Sequence, residues 1–397
     1  MALGSFFQSS TTTMAAFKGF HLQRQTVFKS DKNWVYRIPS LFYERESKIL
    51  LAFSEQRSSS NDASSKHLVM SRGRLKEEDN SIEWSEPERV ENAHLHGHRP
   101  MNPCPLYEKT SKTLFLFFIC VEGTYPECMQ IFFNRNKARL CYIKSNDGGQ
   151  SWSEVTDLTD VLSEIRTWAT FAVGPGHGIQ TESGRLIVPM YRYVWNTLCY
   201  QPPNALYLFS ENKGVNWHLS GFIKKESLEC EMAEVSDDTG LKYIYCNARS
   251  RKSYRVEALD KNDGAGFTVL EQDETLVEEG CQGSVVSFPA QSEVTHDGDQ
   301  SQNLNKWLLF SHPSHKSKRI DLGVYLNETP LLSKTWSKPW IMNSGPSGYS
   351  ELAYIGEGRF VCLFECGKSS EIEQIASVVF SYSDVKQGIR EQTIKKR

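Results

Sequence analysis

The stretch "SNDGGQSW" at residues 145–152 recurs in two variants, "SENKGVNW" at 210–217 and "DKNDGAGF" at 260–267. All three fit one frame: Ser or Asp, any residue, Asp or Asn, any residue, Gly, any two residues, and an aromatic residue. The Asp or Asn can cap a turn, the glycine can adopt positive φ, and the aromatic ring can pack back on the turn. The frame therefore predicts three equivalent β-hairpins, capped by Asp147, Asn212 and Asn262.

The rest of the chain consists largely of short apolar runs bounded by turn residues, which is typical of β-strands. These predicted strands are residues 49–53, 114–121, 138–144, 185–193, 205–209, 242–246, 284–288, 307–310, 322–326, 359–364 and 377–381. One segment, 155–165, has helical spacing, with four apolar residues on one side: Leu158, Val161, Leu162 and Ile165. The frames start at 145, 210 and 260, so they are 65 and 50 residues apart, which suits one four-stranded propeller blade per repeat. The sequence therefore predicts an all-β propeller with one hairpin of this kind, an Asp-box, in several blades.

Composition excludes several classes of protein. The 397 residues carry a net charge of −3 with both signs interspersed, so there is no basic surface for nucleic acid. The longest apolar run, 114–121, is too short to span a bilayer. The ten cysteines occur without a recognisable secretion signal, which favours reduced, buried thiols over a disulfide framework. We expect a protein that is cytoplasmic or peripheral to membranes.

One cation interrupts a strand-like segment. In "WVYRIPSLFYE", residues 34–44, Arg37 stands among aromatic and branched side chains. Its aliphatic stem could pack on the core while the guanidinium reaches water. Alternatively, the guanidinium binds an anion at the end of the strand.

Together with the Asp-boxes, "YRIP" at 36–39 resembles the sialidases, which are six-bladed β-propellers that remove terminal sialic acid. The similarity extends over about residues 25–382 and is greatest to the vertebrate intracellular and membrane-associated sialidases, especially the ganglioside-hydrolysing group. The motifs that carry it include 52–57 "AFSEQR", 97–107 "GHRPMNPCPLY", 168–178 "WATFAVGPGHG", 247–250 "NARS", 280–285 "GCQGSV", 348–352 "GYSEL" and 363–367 "LFECG". The resemblance implies a flexible extension at 1–24, one propeller domain at 25–385 and a polar, basic tail at 386–397.

The resemblance also implies a binding site for the carboxylate of sialic acid. Three arginines would hold this anion: Arg37, Arg249 and Arg319. The planar guanidinium suits a carboxylate because it forms paired, charge-assisted hydrogen bonds. Glu365 would orient Arg37 from behind.

The reaction centre follows from the same comparison. Sialidases with a tyrosine nucleophile are an exception to the usual pair of carboxylates. A carboxylate nucleophile would be repelled by the carboxylate on the anomeric carbon, whereas a neutral phenol is not, although it needs a base. Tyr349 is the expected nucleophile and Glu229 its base, with Glu231 and Glu234 as nearby alternatives. Asp62, in the Ser-rich loop 57–65, is the expected general acid and base.

The remaining pocket residues are also inferred from the resemblance. Arg57 and Glu55 are expected beside O4 of the sugar, and Met101 and Asn102 around its N-acetyl group. Glu127, Tyr191 and Tyr193 are expected around the glycerol tail, and Gln282 near the reaction centre. No metal or cofactor is expected, although His94, His96 and His98 share one face of a predicted strand and could bind a metal.

The predicted function is that of a retaining exo-α-sialidase acting on gangliosides, glycoproteins or oligosaccharides. The predicted partners are its sialylated substrates and, peripherally, a membrane. The alternative is a catalytically silent propeller that binds sialosides or serves as a scaffold, since a fold does not fix a function. Such a binder would have no need for Tyr349, Glu229 and Asp62 together, and the sequence contains all three.

Overall fold

The computed structural model describes residues 22–76, 80–195, 201–261, 264–278, 280–291 and 305–395. These residues form an all-β fold, as predicted. In chain order the strands are β1 (Gln25–Lys29), β2 (Val35–Glu44), β3 (Ile49–Arg57), β4 (Ser65–Lys76), β5 (Ser81–Trp84), β6 (Glu88–Arg89), β7 (His98–Glu108), β8 (Thr113–Glu122), β9 (Ala138–Ser145), β10 (Thr156–Asp157), β11 (Thr170–Val173), β12 (Ile179–Gln180), β13 (Leu186–Tyr193), β14 (Asn204–Ser210), β15 (His218–Leu219), β16 (Leu228–Ser236), β17 (Lys242–Arg249), β18 (Val256–Asp260), β19 (Thr268–Val269), β20 (Ser284–Pro289), β21 (Lys306–Pro313), β22 (Ile320–Asn327), β23 (Trp340–Gly356), β24 (Arg359–Cys366) and β25 (Gln374–Ser381).

Two α-helices accompany the strands: α1 (Glu127–Phe132) and α2 (Tyr382–Lys395). Short 3₁₀ turns occur at Asp62–Ser64, Ser163–Thr167 and Glu371–Glu373. Neither helix is long and apolar enough to cross a membrane, and the same holds for any helix in the described part of the chain.

The strands form five antiparallel sheets, in which neighbours along the chain are mostly neighbours in the sheet. Their orders are β2-β3-β4-β5 with β6 on β4, β7-β8-β9-β10, β11-β13-β14-β15 with β12 on β13, β16-β17-β18-β19, and β20-β21-β22-β23-β24-β25-β1. Contacts between strands run from β2 to β7, β13, β16, β20, β23 and back to β2, and the step from β20 to β23 lies within the seven-stranded sheet. The sheets are therefore arranged in a closed, propeller-like ring.

The two ends of the ring meet in one sheet, because β1 pairs with β25 from the other end of the chain. The core lies between the apolar faces of neighbouring sheets. For example, Leu51 and Phe53 of β3 pack in one cluster with Leu116 and Phe118 of β8. All eleven strands predicted from the apolar runs are found, so these predictions are confirmed.

Two Asp-box turns have the expected local structure. Asp147 Oδ1 accepts hydrogen bonds from Ser145 Oγ at 2.7 Å and from the Ser151 backbone N–H at 2.9 Å. Asn212 Oδ1 accepts equivalent bonds from Ser210 Oγ and the Asn216 N–H. Both turns join the outer strands of their sheets, β9–β10 and β14–β15.

In the third frame, Asn262 lies outside the described residues. The glycine of that frame, Gly264, has φ +75°, in keeping with the turn.

The predicted helix at 155–165 is wrong. This segment instead contains β10, a turn and the 3₁₀ turn from Ser163. The side chain of Asp157 accepts from the Thr159 N–H at 2.9 Å, and Thr159 Oγ1 accepts from the Leu140 N–H at 2.8 Å. Such side chain–backbone bonds compete with helix formation. Val161, expected on the apolar face, is 72% exposed.

Residues 386–395, expected in a polar tail, continue helix α2. The helix begins with reciprocal bonds: the Ser381 N–H donates to Asp384 Oδ2 at 2.7 Å, and the Asp384 N–H donates to Ser381 Oγ at 3.2 Å. Val385 is buried, and Gly388 packs so closely on Trp340 that a Cβ atom there would come within 2.1 Å of the indole ring. This packing attaches the segment to the last sheet.

Candidate active site

The innermost strands carry β-bulges where the predicted site residues stand. Regular pairing breaks in four of these strands: in β2 between Arg37 and Ser40, in β7 between Met101 and Cys104, in β16 between Leu228 and Cys230, and in β23 between Ser347 and Ser350. A bulge leaves a residue out of the ladder and re-aims its side chain. Ile38 and Asn102 within these bulges have φ of 60° and 56°, a region that non-glycine residues adopt only when their surroundings hold them there. The bulges thus turn side chains from different sheets towards one another.

Tyr349 and Glu229 form a buried pair. The phenol donates to Glu229 Oε1 at 2.5 Å. Burial, together with the negative charge of Glu229, raises the pKa of Tyr349 well above its usual value. The phenol is therefore protonated at neutral pH, and the carboxylate that could remove its proton is already in contact with it.

Arg249 joins this pair at the end of β17. Its Nη1 donates to Glu229 Oε2 at 2.7 Å and lies 3.3 Å from the Tyr349 hydroxyl. Burial alone would lower the pKa of Arg249, but the Glu229 carboxylate outweighs it and the net shift is upward. The guanidinium thus stays charged, and its Nε is buried without a hydrogen-bond partner among the described residues.

Glu365 holds both Arg37 and the backbone of Tyr349. Its Oε1 accepts from Arg37 Nε at 2.6 Å and from the Ile38 N–H at 2.9 Å, while Oε2 accepts from the Tyr349 N–H at 3.1 Å. A Cβ atom at Gly348 would lie 2.4 Å from Glu365 Oε2, so this close approach requires glycine. One carboxylate therefore fixes an arginine and the tyrosine relative to each other.

Two further guanidinium groups flank the Tyr349 ring. The Cζ atoms of Arg37 and Arg319 lie 5.5 Å and 5.3 Å from the ring centre. Arg319 Nη2 donates to the Gly280 carbonyl at 2.6 Å. The structure thus brings together at Tyr349 the three arginines that were predicted to hold the carboxylate.

Asp62 begins a 3₁₀ turn on the loop after β3. Its Oδ1 accepts from Arg57 Nη1 at 2.5 Å, and its side chain is 73% exposed. Arg57 is also bonded to the buried Glu55, whose Oε1 accepts from the Asn102 N–H at 2.8 Å. The chain of contacts from Asn102 to Asp62 places an accessible carboxyl group on a fixed support. The negative charge of Asp62 contributes to raising the pKa of Arg37 and of Glu127.

Glu127 is the first residue of α1 and lies beside two tyrosines. Its Oε2 lies 3.5 Å from the Tyr191 hydroxyl, and it also accepts a hydrogen bond from Tyr193. Although the residue is exposed, protein atoms around the carboxyl oppose its ionisation and the charges of Glu229 and Asp62 repel it, so its pKa is raised to about 7. The group therefore changes charge near neutral pH.

The other pocket residues are close by. Met101 is buried, and Asn102 Nδ2 donates to the Val173 carbonyl at 3.1 Å. Gln282 was expected at the reaction centre and contacts the residue next to Tyr349: it donates to the Ser350 carbonyl at 3.0 Å and accepts from the Ser350 N–H at 3.1 Å.

The alternatives to Glu229 lie elsewhere. Glu231 accepts from Gln282, and Glu234 accepts from the Glu182 N–H and from Lys306. Of these three glutamates, Glu229 is the one hydrogen-bonded to Tyr349.

Two of the three histidines considered for metal binding contact the backbone, and the prediction that all three share a strand face is wrong, because β7 begins only at His98. His94 Nδ1 contacts the Glu91 carbonyl, and His98 Nδ1 contacts the His96 carbonyl. The described residues do contain a different group with metal-ligand spacing: His177, Glu231 and Glu351. The motifs that predicted Tyr349 gave no role to Glu351, two positions further along β23, or to His177.

Comparison with known proteins identifies the family of this chain. The chain matches the family of the BNR repeat-like domain over residues 48–385. It is 43% identical to Sialidase-3 of Homo sapiens over 395 residues, covering 90% of this chain and 91% of that protein. It is 42% identical to Sialidase-2 of Mus musculus, covering 88% and 94%.

Solved structures share the fold. The Hadza microbial sialidase Hz136 superposes with a TM-score of 0.72 at 21% identity, covering 88% of this chain and 66% of that one. A Trypanosoma rangeli sialidase, solved as a covalent intermediate with 2,3-difluorosialic acid, gives a TM-score of 0.65 at 15% identity, covering 94% and 61%. The fold, the site and these matches define a glycoside hydrolase. The chain belongs to the sialidase family, as the sequence motifs predicted.

Proposed function

We propose that this protein is a retaining exo-α-sialidase with Tyr349 as nucleophile. The observation that carries the proposal is the 2.5 Å hydrogen bond from the buried Tyr349 hydroxyl to Glu229. Membership of the sialidase family supplies the substrate class, terminal sialic acid.

Substrate binding would begin with the carboxylate of the sugar. Arg37 and Arg319 flank the Tyr349 ring, and Arg249 Nη1 lies 3.3 Å from the Tyr349 hydroxyl. Charge-assisted bonds from such groups are the strongest available for an anion. Because the three guanidinium groups surround the tyrosine, a bound carboxylate would hold the anomeric carbon beside the phenol.

The chemistry would take two steps. Glu229 accepts the phenol proton while Tyr349 Oη attacks the anomeric carbon, and Asp62 gives a proton to the leaving oxygen as the glycosidic bond breaks. In the second step Asp62 removes a proton from water, which attacks the anomeric carbon and displaces Tyr349, and Glu229 returns the proton to the phenolate. Two inversions give net retention.

We also propose that the ring has six blades. The long strand β23 pairs with β22 through residues 340–346 and with β24 through residues 347–356. The seven-stranded sheet would then comprise two four-stranded blades that share this strand. With the other four sheets this makes six.

The silent-binder alternative could retain the arginines but would have no use for the Tyr349–Glu229 bond. A fluorogenic sialoside assay on the purified chain tests this directly, with proton NMR of the first sugar released. We expect turnover with the α-anomer appearing first, and loss of turnover in Tyr349→Phe. A folded, inactive wild type would favour the silent binder, and a β-anomer released first would contradict the two-step scheme.

The preference among gangliosides, glycoproteins and oligosaccharides stays a prediction of the sequence, and so do the cytoplasmic or membrane-peripheral location and the membrane as a partner. The division into residues 1–24, 25–385 and 386–397 also stays a prediction, apart from the extent of α2.

A further inference from the structure

Three ionisable groups outside the predicted catalytic set meet between the inner strands. One ligand atom each of His177, Glu231 and Glu351 lies within 4.8 Å of the others. His177 Nδ1 is 2.5 Å from Glu351 Oε1 and 3.5 Å from Glu231 Oε2, and both glutamate side chains are fully buried. Two carboxyl groups this close cannot both ionise in a buried site unless a positive charge or a proton lies between them.

The hydrogen bonds distinguish the two carboxyl groups. Glu231 is supplied with donors by the protein: Oε1 accepts from Gln282 Nε2 at 3.1 Å, and Oε2 accepts from Ser284 Oγ at 2.8 Å and the Val285 N–H at 2.9 Å. Glu351 Oε2, in contrast, is buried and makes no hydrogen bond among the described residues, although the Ser284 hydroxyl is near enough to Glu351 to oppose the rise of its pKa. The two buried carboxyl groups nevertheless have oxygen atoms within 4.8 Å of each other, so burial and like-charge repulsion favour a proton on one of them, and the pKa of Glu231 is raised well above its usual value. Burial raises the pKa of Glu351 to about 8, in agreement with a retained proton.

Glu231 also holds the strand that carries Tyr349. The two side chains that donate to Glu231, Gln282 and Ser284, are themselves bonded to β23. Gln282 exchanges two hydrogen bonds with the backbone of Ser350, and Ser284 Oγ accepts from the Leu352 N–H at 2.9 Å. The backbone just after Tyr349 is thus fixed through Glu231.

We propose that Glu231 and Glu351 are positioning residues that share one proton and hold the Tyr349 hydroxyl on Glu229. The proposal rests on Tyr349 being the nucleophile. When the shared proton is lost, two adjacent buried anions repel each other and the support of β23 is disturbed. A displacement of about 1 Å at a reacting group can lower a rate about 100-fold.

Besides His177, the titratable groups that face the pair are buried thiols. Cys104 faces both glutamates, Cys230 faces Glu231, and Cys362 faces Glu351. Burial raises the pKa of each thiol well above its usual value, so all three remain neutral. The charge of the cluster is therefore set by His177 and the two glutamates.

The test is the pH dependence of kcat in Glu351→Gln, whose amide imitates a permanently protonated carboxyl. A methylumbelliferyl sialoside is the substrate, because its phenolic leaving group hardly needs general acid catalysis. We expect kcat within about twofold of wild type near pH 6 and an alkaline decline moved upward by about one pH unit or more. The matched control is Glu257→Gln, another buried carboxyl, which accepts from Tyr245 and Trp336. Its kcat profile should follow wild type.

A second variant, Glu231→Gln, places an amide where three protein donors converge. We expect kcat to fall about 10- to 100-fold while KM changes less than about threefold, in a protein whose Tm shows that it is folded. A wild-type kcat in Glu231→Gln overturns the proposal. A Glu351→Gln variant whose pH profile superimposes on that of wild type, or that has no activity at any pH, also overturns it. If Glu231→Gln does not fold, Glu351→Gln decides alone. Full activity of Tyr349→Phe would instead refute the proposed nucleophile, so the two failures are distinguishable.

Discussion

Replacing Arg37 by lysine keeps the positive charge and removes the planar guanidinium. In the structure, Nε of Arg37 is bonded to Glu365 at 2.6 Å, and its Cζ lies 5.5 Å from the centre of the Tyr349 ring. Lysine offers one ammonium group, which can serve either Glu365 or the substrate carboxylate in good geometry, but not both. Losing one charge-assisted hydrogen bond costs about 1.5–3 kcal/mol, so kcat/KM should fall about 10- to 150-fold.

Most of this loss should appear in KM, because the carboxylate is present in the ground state and the transition state alike. Part should reach kcat, because Arg37 also orients the anomeric carbon against Tyr349. Stability should change little, since Glu365 keeps its bonds from the Ile38 and Tyr349 N–H groups.

Steady-state kinetics on a fluorogenic sialoside, with Tm measured alongside, test this prediction. Arg139→Lys is the matched control: Arg139 Nε makes the same 2.6 Å contact with a carboxylate, Asp157, but on the outer strand β9. It should leave kcat/KM unchanged. Unchanged kinetics in a folded Arg37→Lys protein would show that the arginine merely packs its stem on the core.

Two more predictions concern the acids around the cleft. Asp62→Asn should slow natural sialosides at least about 10-fold more than aryl sialosides, whose leaving groups need little protonation; equal slowing of both would make Asp62 structural. Glu127, with its pKa raised to about 7, binds an anionic substrate better when protonated, so the KM of wild type should rise as pH increases through 7. Glu127→Gln should abolish this rise, and a wild-type rise of KM in that variant would contradict the assignment.

Much of the site could be predicted from sequence because each key residue lies within a recognisable motif. Arg37 in "YRIP", Glu229 in "SLECEMAEV" and Tyr349 in "GYSEL" were named from such contexts. The strand bulges that bring these three residues together could not be predicted. The bulges at Leu228–Cys230 and Ser347–Ser350 depend on pairing between strands, and residue patterns within one strand do not specify that pairing.

The wrong helix and the unexpected one have local causes. In 155–165 the apolar spacing suggested a helix, but Asp157 and Thr159 bond to the backbone and end the pattern. Helix α2 was missed because residues 382–395 are mostly polar, although Ser381 and Asp384 form a sequence-readable cap. The burial of Val385 against the last sheet depends on tertiary packing, which the polar composition did not reveal.

The shared proton of Glu231 and Glu351 lay outside the reach of sequence as well. Glu231 was considered as a base for Tyr349 because it stands near Glu229 in the chain. The two glutamates stand two positions apart on β16, yet they contact different groups: Glu229 meets the phenol, whereas Glu231 meets Gln282 and Ser284. The bulge between Leu228 and Cys230 separates their directions.

The most direct test of the account is to trap the covalent intermediate and locate it. The chain would be incubated with 2,3-difluorosialic acid, the compound bound in the Trypanosoma rangeli sialidase intermediate, then digested and analysed by mass spectrometry. We predict one fluorosialyl group per chain, attached to Tyr349, and no label in Tyr349→Phe. A label on Glu229 or on any other residue, or inactivation of the enzyme with no label on Tyr349, would contradict the tyrosine mechanism.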